Sequence, residues 1–241
     1  MWRLFRRYYT EVERPTFERD LDDKDVVIVL RDSGDGSIQG FSTLKVYARK
    51  VHGRRVVAIF SGDTIIDAPY WGQSALHWTF LRFLVQVKLR HPLTPVYWFL
   101  ISKGYKTYLL LARNYPHHWP RHDAPTPAFE QALLDALSAD RFGEAYDREA
   151  GVLRFPESHG RLRGHVAPLS PELLAQPDVR FFAEKNPGHP HGDELCCLGR
   201  VDLAFVLRGA QRVFARPFRR RLPSREEAST PASSEATATG S

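Results

Sequence analysis

The sequence predicts an α/β protein of the α+β kind: a mixed, mostly antiparallel central sheet flanked by helices, extended on its C-terminal side by a mixed region. Three observations predict it. Short apolar strands at Val26–Leu30, Ile38–Tyr47 and Arg55–Phe60 are joined by the turns Asp32-Ser-Gly-Asp-Gly and His52-Gly53, the pattern of an antiparallel meander. A long apolar helix then runs from about Gly72 to Arg90. The apolar strand Val96–Ile101 follows, and a strand–helix–strand crossover makes its two strands parallel.

The elements outside this core read as follows. Residues 2–12 fit a short amphipathic helix with Leu4, Phe5 and Tyr8 on one side, and Pro15 opens a second helix as its first residue. The helix before Val96 is apolar nearly all round, with Thr79, Arg82, Gln86 and Arg90 as a thin polar stripe, so it is expected to be mostly buried. His91-Pro92 ends it. Gly104–Asn114 fits a helix or another strand, because Tyr-Leu-Leu-Leu suits both. Thr126-Pro127 caps a helix reaching about Ala139, with Phe129, Leu133, Ala136 and Leu137 inward. Further strands are expected near Val152–Phe155 and Leu195–Leu207, with a small helix near Pro171–Gln176. From Pro223 onward Ser, Thr, Ala, Glu and Pro dominate without periodicity, the composition of a disordered tail. The expected division is therefore 1–115 as the core, 116–222 as an extension packed on it, and 223–241 as the tail.

Composition narrows the function classes. At 241 residues, with 43% hydrophobic and 12% aromatic content, the chain can bury a full core. Its net charge of +6 suits an anionic ligand or surface. The basic residues are scattered through apolar elements, however, and nucleic acid is not the expected partner. Cys196 and Cys197 are adjacent, which excludes a disulfide framework and reads as two small buried apolar residues in a reducing compartment. No continuous apolar segment has the form of a signal peptide or the length of a membrane span, so the expectation is a cytoplasmic protein, with peripheral membrane contact open to the basic, aromatic first helix.

The stretch Ile59–Leu76 carries the most chemistry. A strand runs out at Asp63–Ile66, turns at Asp67–Pro69, passes Trp71-Gly72 and enters a helix. The first turn of a helix offers N–H groups without internal partners and a partial positive charge. Gly72 lets backbone approach a ligand, so phosphate or pyrophosphate is the first ligand to consider. Asn186-Pro-Gly-His-Pro-His-Gly-Asp-Glu-Leu is the second unusual segment. His189, His191, Asp193 and Glu194 are metal-ligand types, but Pro-Gly and His-Gly mark a structural turn, and no metal is expected.

Meander, strand, glycine turn, long helix and parallel strand together resemble the core of the GNAT-type acyltransferases over roughly residues 20–115. The family's pyrophosphate loop, Gln/Arg-x-x-Gly-x-Gly/Ala, lies on Pro69-Tyr70-Trp71-Gly72-Gln73-Ser74, followed by Ala75. The central glycine matches, Ser74 is small where Gly or Ala is expected, and Pro69 departs from the pattern. The resemblance implies acyl transfer from acyl-CoA, acetyl-CoA or an acyl carrier protein to an unidentified amine or hydroxyl. It implies that the pantetheine amides pair with the strand edge Thr64, Ile65 and Ile66. The pyrophosphate would sit on the N–H groups of Trp71, Gly72, Gln73, Ser74 and Ala75. It also implies Asp63 as general base and Tyr105 or Tyr108 as the acid for the leaving thiolate, with both tyrosines left open. By itself Asp63 reads more readily as a strand-end carboxylate that caps a turn or pairs with an Arg, and the tyrosines as half-buried packing residues. The aromatics Trp71, Trp78, Tyr97, Trp98 and Phe99 suit a long acyl chain or the core. Two other functions compete: a GNAT-like binding module without catalysis, and a basic protein that binds nucleic acid or anionic membrane.

Overall fold

A computed structural model describes residues 1–72, 75–155, 161–162 and 169–207. Its helices are α1 (Trp2–Tyr8), α2 (Arg14–Asp22), α3 (Ala75–Arg90), α4 (Tyr105–Asn114), α5 (Ala128–Phe142), α6 (Pro171–Leu174) and α7 (Pro177–Lys185). Its longer strands are β2 (Val26–Arg31), β3 (Ile38–Val51), β4 (Arg54–Ile66), β5 (Val96–Ser102) and β10 (Glu194–Val201). The two-residue strands are β1 (Tyr9–Thr10), β6 (His118–Trp119), β7 (Tyr146–Asp147), β8 (Val152–Leu153) and β9 (Arg161–Leu162).

The principal sheet has eight strands, in the order β2-β3-β4-β5-β10-β8-β7, with β6 also on β10. β2, β3 and β4 form the expected meander. His52 and Gly53 both have positive φ, 45° and 78°, as a two-residue hairpin turn with the twist of its strands requires. α3 carries the chain across to β5, which runs parallel to β4 from Val57↔Val96 to Ser61↔Leu100. β10 then lies antiparallel on β5 from Leu195↔Ser102 to Val201↔Val96. The sheet thus crosses the boundary expected near residue 115, and a strand from the C-terminal region sits inside the core.

Alternation along the strands divides the core in two. Val57, Ile59, Val96, Trp98, Leu100, Leu195 and Cys197 face the layer of α3, α4 and α7. Val56, Ala58, Phe60, Tyr97, Phe99, Cys196 and Leu198 face α5. A third cluster joins Leu4, Phe5, Tyr8 and Phe17 of α1 and α2 to Phe41 and Ile65. The adjacent cysteines point to opposite faces and are both free and buried; burial pushes the Cys196 thiol up to about 12 and Cys197 well above its ordinary value.

Several elements depart from the sequence reading. α3 is buried only along Leu76, Phe80, Leu84 and Val87, the stripe at helical spacing, while Leu89 is exposed. An apolar composition all round therefore marks a helix lying on one sheet face, not a mostly buried one. Residues 105–114 resolve as a helix, because Tyr105, Tyr108, Leu109 and Leu111 can then face one core. α2 begins at Arg14, one residue before Pro15. α5 begins at Ala128 after Pro127, with no side-chain cap, so Thr126 does not cap it. The expected tail, 223–241, lies outside the described residues.

Gly199 in β10 fixes how closely α4 approaches. A Cβ there would stand 2.7 Å from both Leu111 Cδ1 and Tyr115 Cδ1. Tyr115 cannot yield, since its ring is stacked on Phe205 at 4.4 Å and packed against Trp98 at 5.0 Å. Gly199→Ala should cost about 1–3 kcal/mol of stability, seen as a lower urea midpoint with an unchanged slope; an unchanged midpoint would show that α4 can shift freely.

Candidate active site

β4 and β5 part company after Ser61. The cause is a β-bulge: Ser42 pairs with Thr64 and Leu44 with Ser61, so Gly62 and Asp63 together oppose Thr43. An extra residue bends the strand and increases its twist, which turns the end of β4 away from β5. Gly62 is required there, because a Cβ would meet Thr43 Oγ1 at 2.8 Å and Lys24 Cε at 3.0 Å. The bulge also reverses side-chain parity. Ile59 faces α3 and α4, whereas Ile65, which two-residue alternation alone would put on the same face, packs with Phe41 among α1 and α2.

The parted strand leaves an edge. Asp67 N–H donates to the Gln39 carbonyl at 2.7 Å, so Asp67 and Ile65 bond towards β3 and the backbone of Thr64 and Ile66 turns towards the gap. The gap opens into a cavity of about 1730 Å³ lined from both sides of the sheet. Trp71, Lys106 and Leu110 line it on the α4 side; Tyr9, Asp20 and Arg141 line it on the side of α1, α2 and α5.

Four polar side chains from distant parts of the chain line the cavity near one another. Asp63 stands in the bulge, Tyr9 in β1, Lys103 just beyond β5, and Glu194 at the start of β10. Lys103 Nζ lies 3.4 Å from Glu194 Oε1 and 5.5 Å from the centre of the Tyr9 ring. Asp63 is half-buried and lines the cavity. Burial first, then the charges of Asp20 and Glu194, push its carboxyl up to about 7, against the pull of Lys103 and Lys24. Burial likewise raises Tyr9, helped by Asp63 and Glu194, so its hydroxyl stays protonated.

The surrounding ions are paired. Lys24, whose side chain is fully buried, contacts Asp20 Oδ1 at 2.6 Å and donates to the Asp20 carbonyl. Arg141 lies over the Phe60 ring at 4.2 Å and donates to Asp23 at 2.8 Å and to the Tyr47 hydroxyl at 2.6 Å. The loop after β4 is pinned by buried Asp67, which accepts from the Tyr8 hydroxyl at 2.6 Å and from Arg7 at 2.5 Å. Burial would raise Asp67, but these two donors hold it below the usual carboxylate range. Pro69 lies within a single 3₁₀ turn, Ala68–Tyr70, whose Tyr70 hydroxyl donates to Asp32.

The residues expected at the site fall into groups. Asp63, Thr64, Ile65, Ile66, Trp71 and Gly72 line the cavity, although the Ile65 side chain turns into the α1–α2 cluster. Gly72 has φ +84° and open space where a Cβ would stand. Ala75 begins α3, while Gln73 and Ser74 lie outside the described residues. Tyr105 and Tyr108 belong to the core, and the Tyr108 hydroxyl donates to the Pro120 carbonyl at 3.0 Å; Lys103, Gly104, Lys106 and Thr107 line the cavity from that stretch instead. Of the aromatics, Trp71 and Trp98 line the cavity; Tyr97 and Phe99 are core. His189 and His191 form a 3₁₀ turn, and among the described residues no three His, Cys, Asp or Glu side chains group as a metal would need. Sequence reasoning missed Tyr9, Lys103 and the place of Glu194, which no spacing rule connects. Among the described residues no helix is long and apolar enough to cross a membrane.

No protein-family model matches the sequence, and neither does any curated protein sequence. Solved structures similar in part include three acetyltransferases. One is a GNAT-family N-acetyltransferase of Escherichia coli in complex with coenzyme A, at 16% identity and TM-score 0.32, covering 42% of this chain and 54% of that one. Another is an acetyltransferase of Trypanosoma brucei, at 17% identity and TM-score 0.31, over 47% of this chain and 74% of that one. The third is a GCN5-related N-acetyltransferase of Kribbella flavida, at 17% identity and TM-score 0.34, over 48% and 30%. This chain thus spans about half the length of the first. The element order on which the sequence resemblance rests, meander, crossover helix and parallel strand, is the order the fold shows.

The raised carboxyl of Asp63 has a sign that stability can test. The native group keeps its proton up to about pH 7, whereas the unfolded one releases it near 3.8. Its contribution is therefore fully present below the unfolded value and lost as pH rises through about 7. Asp63→Asn should gain stability over the native chain at pH 8, with the gain shrinking towards pH 4, in denaturant midpoints across that range. A gain independent of pH would assign the effect to something other than this carboxyl.

Proposed function

We propose that the chain transfers an acyl group from a thioester, acyl-CoA or an acylated carrier protein, to an amine or hydroxyl acceptor. The observation that carries this reading is the backbone edge of Thr64 and Ile66, turned into the same cavity as the high-pKa carboxyl of Asp63. A pantetheine arm has amide groups that can pair with such an edge as an added strand does. Gly72 and the start of α3 offer backbone N–H groups for its phosphates.

In this scheme the acceptor enters on the α1–α2–α5 side and its nitrogen or oxygen attacks the thioester carbonyl carbon. The carbonyl oxygen takes up the electron pair and then returns it as the C–S bond breaks. Asp63 takes the acceptor's proton; a carboxyl near 7 is ionised about half the time at neutral pH and is basic enough to help. The departing thiolate belongs to the class of ordinary thiols, with a pKa of about 8.5, and can take its proton from water. Tyr105 and Tyr108 take no part in this scheme.

Pro69, which lacks the N–H of the polar residue the resemblance expects, favours a second reading in which the chain binds a thioester without turning it over. Calorimetric titration with coenzyme A and long-chain acyl-CoA, followed by an acyl-transfer assay, separates the two. The enzyme reading expects binding of at least one, abolished in a folded Gly72→Trp variant. It also expects Asp63→Asn to lower turnover roughly 10²–10⁴-fold at unchanged affinity, and native turnover to rise through about pH 7. Heat without turnover would leave the binding module; no heat with any thioester sinks both.

A further inference from the structure

The free edge of β4 is already partly occupied by the chain itself. The Ile66 carbonyl, turned towards the gap, accepts a hydrogen bond of 2.7 Å from the indole N–H of Trp71. Trp71 is an exposed residue, with 47% of its surface open. Its ring is held from two sides: Lys106 Nζ lies 4.7 Å from the ring centre, and Tyr8 packs at 6.3 Å. Tyr8 is itself fixed by its bond to Asp67, so the seat of the indole is firm while the indole can leave.

We propose that Trp71 is a latch that closes the thioester site by taking the place of a pantetheine amide on the Ile66 carbonyl. This rests on the acyl-thioester reading. The chemistry is a like-for-like exchange, because an indole N–H and an amide N–H are both neutral donors to one carbonyl. Only side-chain rotation is needed, and Gly72 beside it adds backbone freedom, with φ +84° and open space around it. A latch of this kind lowers the apparent affinity by the fraction of molecules in which it is open. It also keeps the strand edge satisfied when no thioester is bound, which protects against pairing with another chain. Lys106, which holds the closed ring by cation–π attraction, is also on the cavity wall.

The test is calorimetric titration of coenzyme A into the native chain and into Trp71→Phe, which keeps a ring but removes the donor. Native indole N–H exchange with water is followed by NMR in parallel. The latch predicts roughly two- to tenfold tighter binding by Trp71→Phe, the release of one neutral hydrogen bond. It also predicts that the Trp71 indole proton exchanges faster in the saturated native protein. Native binding with equal or weaker affinity in the variant, or an unchanged exchange rate at saturation, overturns the latch and leaves the thioester site standing. Absence of binding by both proteins overturns the latch together with the reading beneath it.

Discussion

The two residues that oppose one, Gly62 and Asp63 against Thr43, are the constraint on which the rest of the structure depends. A regular β4 would continue to pair with β5 and close the sheet. The bulge ends that pairing at Ser61↔Leu100, opens the cavity, presents the backbone of Thr64 and Ile66, and puts an acid in the opening. Its parity change also gives α1 and α2 something to bury. Ile65 meets Phe41 and Phe17 on their face because the extra residue has turned it there. A gap in a sheet is costly unless its rim is covered, and here the rim is covered by helices on both faces.

The buried and half-buried ions of this region, Lys24, Arg141, Asp67, Lys103 and Glu194, are each paired, some of them to a more exposed partner. Lys24 has Asp20, Arg141 has Asp23 and Asp20, Asp67 has Arg7 and Tyr8, and Lys103 has Glu194. Breaking such a pair from one side is far more damaging than the pair is stabilising, because an unpaired ion stays behind. Asp63 differs from these. Burial outweighs the pull of Lys103 and Lys24, with Asp20 and Glu194 adding to it, so the group keeps a proton into the neutral range. The contrast separates groups held ionised by a partner from a carboxyl that burial holds towards its protonated form.

Much of this was legible in the sequence, and where it was, local rules were enough. The turn at His52-Gly53, the meander, α3 and the parallel β5 follow from glycine placement and apolar periodicity. That Thr64, Ile66, Trp71 and Gly72 lie together on one cavity could be read because strand, glycine and helix stand next to one another in the chain. The bulge was not legible: Ser-Gly-Asp-Thr breaks the alternation of β4, but only the pairing with Thr43 gives the break its register. Nor was the place of β10, whose partner β5 lies far back in the chain and whose apolar run would suit several positions in a sheet. The central cluster was hidden for a like reason: Lys103 and Glu194 meet only through that pairing, and Tyr9 joins them from a separate two-stranded sheet. Tyr105 and Tyr108 show the opposite failure. They stand close to the site in sequence, yet the helical turn of α4 sends them into the core and leaves Lys103, Lys106 and Thr107 at the cavity.

The central claim is that the parted edge of β4 is where a thioester's pantetheine arm binds. Amide hydrogen exchange, resolved by residue with and without saturating coenzyme A, tests it most directly. The account predicts slower exchange at the amides of Thr64 and Ile66 with little change at Ile65, whose N–H already points to β3. Protection spread evenly over the three residues, or confined to another part of the molecule, would contradict it.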